Sequence, residues 1–183
     1  MFSRISSLFL LVFLSPLFLF IAFLIFIEDG CPVFFKQKRV GINYSFFQIY
    51  KFRSMKKNTP NVATHLLENP SQYILKSGTF IRKLSLDELP NLINIVKGEI
   101  AFVGPRPALY NQDDLMELRV KVGVDKLKPG LTGWAQINGR DDISLEAKVA
   151  LEKEYLERKS FWFDMKIILL TFTEVLKKQG VKH

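Results

Sequence analysis

Apolar and polar residues are distributed unevenly along this chain. Between positions 5 and 27 there is no charged residue. About 20 apolar residues suffice to cross a bilayer core as a helix. A secretory signal peptide has a shorter apolar stretch and a small-residue cleavage site, and the segment IAFLIFIEDG offers none. Membrane association is therefore expected. Ser15 and Pro16 interrupt the run near its centre. Pro16 removes a backbone donor, and in hydrocarbon the carbonyl it frees needs another partner, for which a neighbouring Ser hydroxyl is a candidate. Two forms fit: a kinked spanning helix, and a helix–break–helix that returns to the side it entered from. Arg4 stands before the run, and Lys36, Lys38 and Arg39 follow it. Positive charge on both flanks suits two cytoplasmic ends.

Beyond the apolar run the pattern becomes short and mixed. PVFFKQKRVG (32–41) starts as a strand and ends in basic residues and a Gly turn. In FFQIYKFRSM (46–55), strict alternation puts Phe47, Ile49, Lys51 and Arg53 on one face of a strand, although a short helix fits equally. Residues 56–77 read as a polar loop with room for one short helix. Residues 80–97 are helical by pattern, with Leu86, Leu89, Ile93 and Val96 on one stripe. A short apolar segment (99–109) runs into Pro105-Arg106-Pro107, where two prolines fix the backbone around a guanidinium. Residues 124–140 read as a loop built on Pro129, Gly130, Gly133 and Gly139 and ending in Arg140. A charged helix follows at 144–159. A last helix at 161–178 sets Trp162, Phe163, Ile167, Leu170 and Leu176 against Lys166, Lys177 and Lys178. Such a helix can lie in a membrane interface or pack on a core.

Composition refines this picture. A chain of 183 residues is enough for one domain with a core. With 48% hydrophobic residues, 17 of them Phe, but 24% charged, it is not a bundle of membrane spans. The net charge of +8 and pI of about 9.6 suit nucleic acid, or anionic lipid and phosphate. The apolar N-terminus favours the second. The basic residues follow Pro and Gly turns rather than one helix face, which argues against a nucleic-acid partner. A lone cysteine, Cys31, allows no internal disulfide, in agreement with a cytoplasmic face. There is no GxGxxG, no Walker-type loop and no paired Cys for zinc, and His65 and His183 are too isolated for a metal site or a triad.

The stretch LSLDELPNL (84–92) places Asp87 beside Glu88. SLDE matches a capping box, with Ser85 as the cap and Glu88 reaching back. Pro90 fits that register poorly, because it breaks the first bonded turn; with Asp87 as the cap, Pro90 falls among the free donors. Either way the carboxylates lie at a helix start, where anions bind. A carboxylate there has a lowered pKa and stays ionised, ready to act as nucleophile or metal ligand. The residues alone leave a structural cap and a catalytic pair both open.

Taken together, PVFFKQKRVG, FFQIYKFRSM, RKLSLDELPNLINIVKGEIAFVGPRP and PGLTGWAQINGR resemble, in order and spacing, the bacterial sugar transferase family of monotopic polyprenyl-phosphate phosphoglycosyl transferases. The likeness runs from about Leu8 to Val175. It implies an α+β, mainly helical fold: a re-entrant membrane helix (1–30) broken at Ser15-Pro16, and a small catalytic domain (31–183) with amphipathic interface helices on the cytoplasmic face of the bacterial inner membrane. It implies transfer of a sugar 1-phosphate from a UDP-sugar to undecaprenyl phosphate, with UMP released. That step starts capsule, O-antigen, exopolysaccharide or glycoprotein glycan assembly. Asp87 would be the nucleophile and Glu88 its partner, both available to Mg²⁺. Lys51, Arg53, Arg82, Arg106 and Arg140 are candidates to hold phosphates, and Trp134 and Gln136 to line the nucleotide or sugar pocket. A homodimer and downstream glycosyltransferases are candidate further partners. The alternative is a basic membrane-surface scaffold without chemistry. Two features depart from the family pattern: the start MFSRISSLF keeps only Arg4 of the usual basic pair and lacks its Asp, and Tyr44-Ser45 replace a Gly and a basic residue.

Overall fold

The apolar N-terminal run folds as two helices, α1 (Phe2–Phe13) and α2 (Ser15–Asp29), set at 61° to each other. The structure is a computed structural model that describes residues 2–60, 68–139 and 143–177; His65, Arg140 and His183 lie outside the described residues. The bend has the predicted chemistry. Ser15 Oγ donates to the Val12 carbonyl at 2.7 Å, which is the oxygen that the missing N–H of Pro16 leaves free. The helical ladder continues on both sides, from Leu14 N–H to Leu10 O and from Phe18 N–H to Leu14 O. Among the described residues, no single helix is long and apolar enough to cross a membrane, but the bent pair passes that test together.

The two helices share cores with the rest of the chain. Leu10, Leu11 and Leu14 pack on Phe47, Ile49, Leu92, Ile95 and Ile100. Ile21 and Ile25 are buried with Phe52, Leu75 and Ile81, each such side chain contributing about 2 kcal/mol of apolar burial. Ser7, buried in this contact, donates to the Leu92 carbonyl at 2.8 Å. The opposite faces expose Phe9, Phe13, Leu19, Phe20, Phe23 and Ile27.

An antiparallel ribbon follows, β1 (Phe34–Val40) and β2 (Phe46–Phe52), in register Phe34↔Phe52 to Val40↔Phe46. Alternation in β2 buries Phe47 and Ile49 and brings Lys51 to the same face, half-buried. After a short helix, α3 (Pro70–Tyr73), α4 (Lys76–Lys83) starts on a carboxylate from the end of α2. Glu28 accepts from Lys76 N–H at 2.5 Å and from Ser77 N–H and Oγ at 2.9 and 2.6 Å, as suits a helix N-terminus.

The single helix expected over 80–97 is three pieces. α4 ends at Lys83; Ser85 turns left-handed (φ 55°); one 3₁₀ turn spans Leu86–Glu88; and α5 runs Asn91–Lys97 with Pro90 just before it. Ser85 makes no side-chain cap bond, so the capping box is not formed, and Asp87 is not a cap either. The loop expected over 124–140 also holds structure. β4 (Gly130–Thr132) pairs in parallel with β3 (Ala101–Val103), and α7 (Trp134–Asn138) follows directly. Between the two strands lies α6 (Asp113–Val122), which hydrophobic periodicity did not mark. Its signals were acidic residues in the first turn, basic ones in the last and a left-handed Gly123 after it. The last two helices fall where the pattern put them: α8 (Leu145–Arg158), capped by Ser144 Oγ accepting from Ala147 N–H at 3.2 Å, and α9 (Phe161–Lys177). Phe163 and Ile167 of α9 are buried with Val103, Leu127 and Tyr155, while Phe161, Trp162, Leu169 and Phe172 are exposed.

Candidate active site

Asp87 and Glu88 are held at the 3₁₀ turn because the leucines on either side of them face inward. Leu86 and Leu89 pack against the core that holds Ile21, Ile25 and Phe52, and the two carboxylates between them are left partly exposed. Opposite lies the buried face of β2. Lys51 Nζ meets Glu88 Oε1 at 2.6 Å, and Arg106 Nη2 stands 3.7 Å from the same oxygen. Arg39, Lys51, Glu88, Asn91 and Arg106 line one small pocket with Ile49, Ile100, Pro107, Gly130 and Leu131. Arg82, in the last turn of α4, acts on Asp87 through its charge and keeps a buried Nη1 without a hydrogen-bond partner.

The two acids are pushed in opposite directions. For Glu88, burial works to raise the pKa, but Lys51, Arg106 and Arg39 together hold it below the usual carboxylate range. For Asp87, burial dominates; Lys51 and Arg82 oppose it and the charge of Glu88 adds to it, and the pKa is raised. The sequence led us to expect a lowered pKa for a carboxylate here, and for Asp87 that is corrected. The expectation relied on a helix start, but the turn is one 3₁₀ turn long, and α5 begins only at Asn91. The pair therefore joins a firmly ionised, cation-bound Glu88 to an Asp87 whose charge is poorly compensated.

Arg39 is the residue that the sequence reading missed, counted there only as a flanking charge. Burial, and then repulsion by Arg106, lowers its pKa to about 10, with Glu88 opposing. Its Nη1 donates to Pro107 O at 3.0 Å and its Nη2 to Gln37 Oε1 at 2.6 Å. The signal available was its place in β1, directly opposite buried Phe47.

Not every candidate joins this cluster. Arg53 follows the last residue of β2 and turns to the end of α2, where it pairs with the Asp29 carboxylate and donates to Asp29 O at 3.1 Å and Gly30 O at 2.6 Å. Those are the free carbonyls of a helix C-terminus, a place that favours a cation; Arg53 locks α2 to the ribbon. Trp134 donates through Nε1 to Glu154 at 2.8 Å and packs its ring on Phe163, 5.1 Å between centroids. Gln136 lies against Leu131 O at 3.5 Å. Neither lines the pocket around Glu88.

The described residues hold no group of three or more His, Cys, Asp or Glu able to bind a metal. A magnesium ion asks for less: one or two carboxylates, several waters and the substrate's own phosphates. Both cations on Glu88 fall on Oε1, so the Asp87 carboxylate and Glu88 Oε2 are an oxygen set that fits such an ion.

A carboxylate pair ringed by Lys51, Arg106, Arg39 and Arg82 is equipment for bringing anionic, phosphate-bearing substrates to an acidic side chain, and so for group transfer at phosphorus. The chain belongs to the bacterial sugar transferase family, whose model matches residues 1–178, and it is an enzyme of the phosphoglycosyl transferase type. It is 40% identical over 183 residues to the uncharacterized sugar transferase EpsL of Bacillus subtilis (strain 168), covering all of this chain and 89% of that one. It is 38% identical over 192 residues to the exopolysaccharide production protein ExoY of Rhizobium meliloti (strain 1021), covering 96% of this chain and 83% of that one. It is also 38% identical over 170 residues to the UDP-glucose:undecaprenyl-phosphate glucose-1-phosphate transferase of Escherichia coli (strain K12), covering 88% of this chain but 36% of that longer protein.

Proposed function

We propose that this protein transfers a sugar 1-phosphate from a UDP-sugar to undecaprenyl phosphate through a covalent aspartyl-phosphosugar, the first membrane step of a surface glycan. The observation that carries the reading is the pairing of a cation-bound Glu88 with an Asp87 that Lys51 and Arg82 face through their charge and that its own backbone N–H helps to hold. An Asp87 oxygen attacks the sugar-bearing phosphorus. The bond from that phosphorus to UMP breaks, and UMP leaves with the electron pair. A phosphate oxygen of undecaprenyl phosphate then attacks the same phosphorus, and the bond to Asp87 breaks to restore the carboxylate. No net proton transfer is needed, so Glu88 serves by holding Lys51 and Arg106 in place. A raised pKa makes Asp87 the better nucleophile of the two once ionised. Lys51, Arg106 and Arg82 receive phosphate oxygens, Arg in a two-pronged geometry, and Arg140 keeps that role on the family resemblance. Mg²⁺ bound by Asp87 and Glu88 would neutralise charge on the diphosphate.

The second substrate brings a long apolar tail, and the surface suits it. The exposed faces of α1 and α2, with Phe9, Phe13, Phe20 and Phe23, are apolar. The 61° bend at Ser15-Pro16 favours a hairpin that enters one leaflet and returns, with the catalytic residues on the cytoplasmic side of the inner membrane. The exposed Phe161, Trp162, Leu169 and Phe172 of α9 favour a helix lying at the interface. Release of UMP from a panel of UDP-sugars, with undecaprenyl phosphate present, tests the reading. It predicts turnover with at least one sugar and none in Asp87→Asn. Normal turnover by that variant would sink the mechanism, and salt-sensitive membrane binding without turnover would favour the scaffold.

A further inference from the structure

Pro105 and Pro107 carry no N–H, so the backbone around Arg106 has few donors and depends largely on its carbonyls for anchoring. All four carbonyls from 105 to 108 are held. Pro105 O accepts from Gly130 N–H at 2.9 Å, and Ala108 O from Val40 N–H at 3.0 Å. The two central ones are held by guanidinium groups: Pro107 O by Arg39 Nη1 at 3.0 Å, and Arg106 O by Arg119 Nη2 at 2.9 Å.

Arg119 is not free to drift. It projects from α6 with only 4% of its surface exposed, and Glu152 of α8, 2% exposed, receives its Nε at 2.8 Å and its Nη2 in a two-pronged pair. The ion pair is fully internal and bonds to none of the side chains to which the reaction has been assigned. A buried pair of this kind gains little stability over apolar residues of similar volume, because both ions lose their water. Its geometry accounts for it better. One guanidinium spends one edge on Glu152 and uses a shared nitrogen to reach the backbone oxygen of Arg106. The side chain of that same residue stands 3.7 Å from Glu88.

We infer that Arg119, locked by Glu152, is a positioning residue that fixes Arg106 against Glu88 and the incoming phosphate; the inference rests on the phosphate-holding role proposed for Arg106. α6 and α8 thereby form a brace behind the Pro-Arg-Pro segment. The brace passes through one hydrogen bond to a carbonyl, so removing it takes away the one anchor on residue 106 itself, leaving its neighbours' anchors and the chemical groups at the site intact.

The test is Arg119→Met combined with Glu152→Leu, which keeps the volume and removes both charges together, with Arg119→Lys as the second variant. Lysine keeps the charge but cannot hold Glu152 and the carbonyl in one planar fork. In either variant kcat/KM for UMP release should fall on the order of 10- to 100-fold, the loss that follows displacement of a positioned group by about 1 Å. In an Arg106→Ala background the same change should alter kcat/KM by less than about twofold, because the brace acts only through Arg106. A general structural role would instead give the full loss in both backgrounds, and that result overturns the inference. A second reading needs no turnover. In protein labelled with ¹⁵N-arginine, the Nε–H signal of Arg106, assigned from its absence in Arg106→Lys, should lose dispersion and broaden in the double variant. An unchanged signal also overturns the inference. Absence of UMP release from the unmodified protein would count against the proposed function, and the Arg106 signal would then decide the brace on its own.

Discussion

Replacing Lys51 by Met removes the closest cation from Glu88 while keeping the length and apolar stem of the side chain. The lost contact is a 2.6 Å charge-assisted hydrogen bond between side chains only 18% and 24% exposed. With an effective dielectric constant of about 20, the Coulomb energy at that distance is about 6 kcal/mol. Desolvation of two partly buried ions offsets most of it, and Arg106 at 3.7 Å remains to hold the same oxygen. A net loss of about 2 kcal/mol is left, equivalent to a fall in Tm of about 4–8 °C for a chain of this size. The pH dependence carries a sign. Glu88 has a folded pKa below the ordinary glutamate value of 4.5, so the stability it contributes is complete above that value and is lost as pH falls through the folded pKa. Urea unfolding of the detergent-held protein should therefore show the gap between wild type and Lys51→Met at neutral pH. The two curves should converge once Glu88 is protonated. A gap that persists unchanged in acid, or no gap at neutral pH, would refute the assignment of Glu88 as the ionised, cation-bound member of the pair.

Asp87→Asn should abolish turnover yet raise Tm at neutral pH. The folded pKa of Asp87 is raised, so its ionisation above that value disfavours the folded state, and Asn removes the charge; a lower Tm, measured by thermal unfolding, would count against this. Glu88→Gln should shift the acid limb of the kcat/KM profile to lower pH in whatever activity remains, because the charge that helps to raise Asp87 is gone. Gly130→Ala should destabilise by about 3 kcal/mol or more, since a Cβ there would lie 2.1 Å from the Gly104 backbone nitrogen, where β3 and β4 meet and neither backbone can give way; chemical denaturation reads the loss.

The hydrophobic pattern located the elements that bury one face. The break in the N-terminal run was legible from its uncharged length and Ser15-Pro16, and the last two helices from their periodicity, while the alternation in β2 was one of two readings that the sequence left open. Ser15-Pro16 was legible in chemical detail, since a proline's freed carbonyl has few local partners and Ser15 Oγ takes it. The region of the acidic turn was less so. A stripe of leucines suggested one helix, and only the left-handed Ser85 shows that Leu86 and Leu89 belong to a separate turn facing a different core from Leu92. β3 and β4 are three residues each and pair in parallel across about thirty positions, so no local period could reveal them. At the site, Lys51 and Arg106 could be chosen because they sit in recognisable motifs. Arg53 matched the same alternation but lies one residue past the strand, where the carbonyls ending α2 claim it. Arg39 and the Arg119–Glu152 brace depend on contacts between residues 13 to 68 positions apart, which the sequence does not display.

The departures at the N-terminus also find a physical setting. The guanidinium of Arg4 lies over Gly98, just past the last residue of α5, so a Cβ at Gly98 would come within 2.0 Å of Nη2. A cation there is favoured by the free carbonyls of the helix end. Ser7, bonded to Leu92 O, fastens α1 to α5, and Arg4 lies over the end of the same helix.

In the proposed mechanism Asp87 becomes covalently bonded to the phosphosugar. Intact mass of the protein, quenched after brief incubation with a UDP-sugar substrate and no polyprenyl phosphate, measures it directly. An added mass equal to one sugar phosphate is expected, located on the peptide containing Asp87, discharged when undecaprenyl phosphate is supplied and missing from Asp87→Asn. Unmodified protein during undiminished turnover, or an adduct on any other residue, would contradict it.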